Sequence, residues 1–140
     1  MKILLPVDGS EHTKRMLAYI AAHDELLGAG HEYLVFTVVG AIPPSASRML
    51  DAKVVADHYI EQAEQVLAPV RAFIAQQPWN ARVSHAHGPA AELIAALTTA
   101  EKIDLIVMGT HGHSALANVV LGSVVNGVLA RCKVPVLLIR

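Results

Sequence analysis

A chain of 140 residues is the size of one domain, and at this length about two-thirds of the unfolded surface is buried, so no disulfide or metal staple is needed. A formal net charge of −1 with no basic stripe argues against nucleic acid or an anionic membrane as a general partner. The one cysteine, Cys132, leaves no intrachain disulfide and no cysteine metal cluster. No apolar run is long enough to span a membrane, and Met1 to Asp8 lacks the length and cleavage site of a signal peptide, so a cytoplasmic protein is expected. Aromatics are scarce at 4%, and Ala, Val, Leu and Ile carry the apolar content, a mix suited to a sheet buried on both faces.

Lys2 to Val7 is a short apolar run without alternation, which predicts a buried strand. Asp8-Gly9-Ser10 follows as a turn, with Ser10 placed to cap a helix on Met16, Leu17, Ile20 and Leu27 that ends at Gly28-Ala29-Gly30. Tyr33 to Val39 predicts a second strand, and Gly40 to Ser47, with Pro43-Pro44, a loop able to fold over a ligand. Arg48 to Gln77 has a helical pattern with Leu50, Val54, Val66, Leu67, Val70, Phe73 and Ile74 on its apolar face and a bend expected at Pro69. Ala81 to His87 is a third strand. Gly88-Pro89 is a turn that sets proline at the first position of a helix running to Lys102, with Leu93, Ile94 and Leu97 inward. Asp104 to Met108, Ser123 to Arg131 and Pro135 to Ile139 complete the pattern as strand, helix and strand. The alternation predicts one α/β domain over residues 1–140, a mostly parallel sheet with helices on both faces. Ligands of such sheets bind beyond the carboxyl ends of the strands, where strand order reverses.

The stretch that follows the fourth strand carries the chemistry. Gly109, Gly112 and Gly122-Ser123 give the spacing G-x2-G-x9-G-S between a strand and a helix start. Glycines let a backbone approach phosphate closely, and the free amides and partial positive charge of a helix start favour anions. The spacing matches neither the lysine-bearing phosphate loop nor the dinucleotide fingerprint. No Lys or Arg lies between Gly109 and Ala130, so phosphate charge would be met by amides, hydroxyls, the helix dipole and a metal ion. Two further segments would reach the same crevice. Asp8 could accept from ribose hydroxyls or an adenine amine, and the backbone at Val38 and Val39 could pair with an adenine edge. Taken singly, Asp8 and the glycines also fit plain turn positions.

In combination these segments resemble the universal stress proteins over nearly the full chain. The resemblance is carried by Lys2 to Ser10, Gly88-Pro89-Ala90, Val107 to Gly112, Leu121 to Val124 and Val134 to Ile139. The intact G-x2-G-x9-G-[ST] spacing is similar to that of the ATP-binding branch. The resemblance implies an open, Rossmann-like five-stranded parallel sheet of order 3-2-1-4-5, like that of the adenine nucleotide alpha hydrolases. It also implies ATP, ADP or AMP across the switch point, with Mg2+ or Mn2+ riding on the phosphates. Carried over, Asp8 and the Val38 backbone become adenosine contacts, flanked by Pro6 and Val7. Gly109, with Met108 beside it, becomes a ribose contact, and Gly112, Gly122, Ser123 and Val124 become phosphate contacts. Where many relatives carry basic residues, this chain has His111 and His113 and the uncharged run Ala115 to Leu121. His111 is then either a pH-dependent phosphate contact or a solvated loop residue, and a preference for AMP or ADP stays open.

Three functions fit. The first is a nucleotide-dependent stress or regulatory protein with little or no turnover, since no general base or mobile cation for phosphoryl transfer is evident. The second is a slow ATP hydrolase, or a ligase, against which Val7-Asp8-Gly9-Ser10-Glu11 lacks the serine–glycine loop of the ATP-pyrophosphatases. The third is a nucleotide-free scaffold. His85 and His87 share a strand face, with no third metal ligand evident, and read as exposed edge-strand residues. Val136 to Ile139 would be a bare apolar edge strand, and that liability agrees with the resemblance on a homodimer formed by pairing final strands.

Overall fold

The computed structural model describes residues 1–113 and 118–140. Five strands, β1 (Lys2–Pro6), β2 (Glu32–Val39), β3 (Asn80–His87), β4 (Leu105–Gly109) and β5 (Val136–Ile139), form one parallel sheet of order β3-β2-β1-β4-β5. This is the order expected, with its switch point between β1 and β4. The strands are apolar without alternation because both faces are covered. Ile3 and Leu5 point to one core with Met16, Leu17, Ile20, Leu67 and Val70, while Leu4 points to the other with Phe36, Ile94, Ile106, Val125 and Val128.

The first core is closed by α1 (Glu11–Ala22) and α4 (Ala52–Ile74), the second by α5 (Ala90–Ala100) and α6 (Ser123–Arg131). The predicted first helix is broken. It stops at Ala22, where His23 leaves the helical region and its ring bonds the Tyr19 carbonyl at 2.8 Å, and Asp24–Leu27 forms a separate turn, α2. Leu27 still reaches the core, and the buried Tyr33 hydroxyl donates to the Leu27 and Gly28 carbonyls. Burial pushes that phenol up to about 12.

The helix predicted from Arg48 starts later, at Ala52, with Asp51 in extended conformation before it. Leu50 and Val54, expected inward, are 46% and 49% exposed. Only Ala63, Leu67, Val70 and Ile74, at spacings of four, three and four, are buried along α4, which continues through Pro69. The predicted Gly40–Ser47 loop holds one helical turn, α3 (Pro44–Ser47), and the Ile42 amide donates to the Tyr59 hydroxyl at 2.9 Å. Pro89 sits one residue earlier than predicted, as N-cap of α5. His85 and His87 are exposed on the β3 edge, His87 stacking on Tyr59 with ring centroids 3.9 Å apart. Cys132 ends α6, half-buried, with its Sγ 3.9 Å from Thr98 Oγ1.

Candidate functional site

The carboxyl ends of β1 and β4 and the start of α6 define the site. After β1, Gly9 takes φ +77°, a left-handed turn that L side chains rarely adopt. The turn lets Asp8 Oδ1 accept from the Ser10 amide and the Thr13 hydroxyl, both at 2.9 Å, while the Asp8 amide donates to Thr13 Oγ1 at 3.0 Å. Ser10 occupies the N-cap position but makes no capping bond, and its Oγ is buried without a partner among the described residues. Asp8 takes over the task of holding the helix start. Burial pushes the Asp8 carboxyl up. The dipoles of the Ser10 hydroxyl and amide and of the Thr13 hydroxyl, with the His113 charge, outweigh this and hold it below 3.8.

At the end of β4, Gly109 is required by a close approach. A Cβ there would lie 2.7 Å from His12 Cβ and 3.1 Å from the His12 carbonyl oxygen, so α1 packs directly on this backbone. A Cβ on Gly112 would collide with Asp8 Oδ2, which places the free carboxylate oxygen against the loop. Gly122 lies 3.2 Å, measured from its would-be Cβ, from the His111 backbone, and its amide donates to the Thr110 carbonyl at 2.8 Å. The start of α6 is thereby fastened to the end of β4.

Two histidines tie the loop down. His111 Nε2 faces the Val119 carbonyl at 2.7 Å and must donate, leaving Nδ1 to the Thr110 hydroxyl at 3.0 Å. His113 Nε2 likewise donates to the Asp8 carbonyl at 2.6 Å. Of the uncharged run Ala115 to Leu121, residues 115–117 lie outside the described residues. The amides of Ser123, Val124 and Val125, in the first turn of α6, have no intrahelical acceptor. α5 also begins at this end of the sheet. It packs so closely on α6 that a Cβ on Gly127 would sit 2.5 Å from Ala91 Cβ.

These elements enclose a cleft of about 450 Å³. Pro6, Val7, Asp8 and Val38 line it from the first two strand ends, and Met108, Gly109, His111, Gly112 and His113 from the fourth. Gly122, Ser123 and Val124 line it from α6, so the residues expected at the site border one space, with the exception of Val39, which does not reach it. Among the described residues, no Lys or Arg lines it, and no group of three or more His, Cys, Asp or Glu could hold a metal ion. No residue of 40–47 reaches it. Six lining residues lay outside the sequence reading of the site: Thr13, Phe36, Ala90, Ile94, Val119 and Val125. Phe36 and Val38 share a strand face at a spacing of two, and Ala90 and Ile94 share a helix face at a spacing of four, so both pairs were accessible to periodicity. Thr13 was accessible through the turn hydrogen bonds that serve Asp8.

The sequence model described as "Universal stress protein family" matches residues 1–140. A universal stress protein of Thermus aquaticus, encoded in the 3′ region of a QAH/OAS sulfhydrylase, is 35% identical over 138 residues, covering 99% of this chain and 97% of that one. Among solved structures, the universal stress protein UspA from Lactobacillus plantarum superposes with TM-score 0.81 at 21% identity, covering 100% of this chain and 97% of that one. A universal stress protein from Archaeoglobus fulgidus in complex with dAMP superposes with TM-score 0.66 at 19% identity, covering 100% and 98%. The chain belongs to the universal stress protein family.

Proposed function

We propose that this chain binds an adenine nucleotide in the cleft and acts as a nucleotide-dependent regulatory protein of the cytoplasm with little or no turnover. One observation carries the reading. Asp8, Val38, the glycine loop and the open amides of α6 meet in a single cleft at the switch point of a parallel sheet. In this reading Asp8 and the Val38 backbone take the adenosine, Gly109 the ribose, and Gly112, Gly122, Ser123 and Val124 the phosphate. The dAMP complex of a relative of the same fold supports the choice of ligand. Any divalent ion, Mg2+ or Mn2+, would ride on the phosphates of a bound ADP or ATP, since the described residues hold no group of three or more His, Cys, Asp or Glu to cage one. A homodimer through β5 accompanies this reading, since Val136, Leu137 and Leu138 stay partly exposed on an edge strand.

The test is identification by mass spectrometry of nucleotide released from freshly purified protein, together with titration of stripped protein. Ser123→Glu serves as the variant because it separates binding from folding. Glutamate in the first turn of a helix suits the dipole, yet here it puts an anion where the phosphate would sit. We expect nucleotide affinity to fall at least about tenfold while the melting temperature of the empty protein holds. No binding of any adenine nucleotide at millimolar concentration, with or without Mg2+, would leave a scaffold role instead.

A further inference from the structure

We propose that the preferred ligand of this cleft is an adenine nucleoside monophosphate taken up without a metal ion, and that added phosphates weaken binding. This rests on the nucleotide reading above and goes beyond it to the charge of the ligand. The inventory at the phosphate end is unusually poor in cations. No Lys or Arg occurs from Gly109 to Ala130, a span that includes residues 114–117, and none reaches the cleft from the described residues elsewhere. The two histidines are committed. His111 spends both ring nitrogens on Val119 and Thr110, and His113 spends Nε2 on the Asp8 carbonyl. His111 thus closes the loop with both ring nitrogens instead of turning one to a phosphate.

Among the described residues, an anion is offered the first turn of α6, with the amides of Ser123, Val124 and Val125 and the Ser123 hydroxyl, beside the backbone of Gly112 and Gly122. That set matches the oxygens of one phosphate, and a helix start offers only about half a positive charge against the roughly −2 of a phosphate monoester. Further phosphates would meet no Lys or Arg among the described lining residues. They would also share the cleft with the Asp8 carboxylate, whose free oxygen abuts Gly112. Each added phosphate brings more uncompensated charge into a partly desolvated space. The rest of the lining is apolar, with Phe36, Ile94, Met108 and Val125, and favours the base.

The experiment is calorimetric titration of the stripped, full-length chain with AMP, ADP and ATP in EDTA at low salt, repeated at high salt. We expect AMP to bind at least about tenfold tighter than ATP, with ADP between, and the gap to narrow as salt screens the repulsion. ATP binding as tightly as AMP without metal would overturn the charge argument and leave the nucleotide reading standing. No binding by any of the three would remove both. Val119→Lys supplies the missing cation. Val119 lines the cleft, its side chain is exposed, and the substitution keeps the carbonyl that His111 needs. The variant should bring the AMP-to-ATP affinity ratio toward one. A ratio unchanged in a variant with the parental melting temperature would count against the proposal.

Discussion

Substituting Gly109 by alanine would ordinarily be taken as a probe of nucleotide binding, yet the geometry makes it first a probe of packing. The added Cβ falls 2.7 Å from His12 Cβ, about 0.7 Å short of the 3.4 Å at which ordinary contact begins, and it also meets the His12 backbone at 3.1 and 3.2 Å. None of these atoms is the end of a flexible chain. Relief requires α1 to lift from β4, and with it Met16 and Ile20 from the first core. Overpacking of this kind costs about 1–3 kcal/mol, which for a domain of this size lowers the melting temperature by roughly 3–10 °C. The assay is urea and thermal unfolding of nucleotide-free protein. Gly40→Ala is the control: a Cβ there meets nothing within 4 Å and its φ lies outside the left-handed region. It should be neutral or stabilising by about 0.4–1 kcal/mol through the unfolded state. An empty Gly109→Ala protein as stable as the parent would refute the packing argument and return this glycine to a purely ligand-facing role.

Leu67→Ala, at a fully buried position where α4 meets the sheet, should cost about 2–5 kcal/mol by urea unfolding, with the cleft and its ligand preference intact in the folded fraction. Asp8 gives a pH dependence of known sign. Its carboxyl titrates lower in the folded chain than in the unfolded one, so its contribution is fully present above the unfolded value near 3.8 and is lost as pH falls through the folded value. Asp8→Asn should flatten that part of the acid limb in a plot of stability against pH, and an unchanged limb would show that the carboxylate is not what the turn relies on. Leu138→Lys places a charge on the β5 edge and should shift a dimer toward monomer on sizing at micromolar concentration, whereas a folded variant that still elutes as a dimer would move the interface elsewhere.

The parallel strands and the convergence of Asp8, Val38 and the glycine loop at their carboxyl ends were legible because buried strands carry unbroken apolar runs, whereas the strand order followed from the family resemblance. Helix limits were less legible. Nothing in the pattern from Met16 to Leu27 warned that the His23 ring would take the Tyr19 carbonyl and break the helix. Leu50 and Val54 kept the helical period without a surface to pack on, since the buried positions of α4 begin only at Ala63. Within the site, spacing marked Gly109, Gly112 and Gly122 but not why each lacks a side chain. Gly109 yields to α1 and Gly112 to the Asp8 carboxylate, contacts between segments far apart in the chain, and Gly122 to the His111 backbone across the loop. The role of His111 was equally hidden, because its partner carbonyl at Val119 belongs to a loop with no pattern of its own.

The one tryptophan stands at the other end of this sheet. Trp79 precedes β3 and packs against Tyr33 and Phe73, with ring centroids 5.1 and 6.1 Å away, at the amino end of β2, whose carboxyl end borders the cleft. The run of β2 from Tyr33 to Val38 puts roughly 17 Å along the strand between that cluster and the expected base contact. Tryptophan fluorescence of this chain therefore reports on the integrity of the α4 face. The molecule carries its own unfolding reporter at the end of the sheet opposite the cleft.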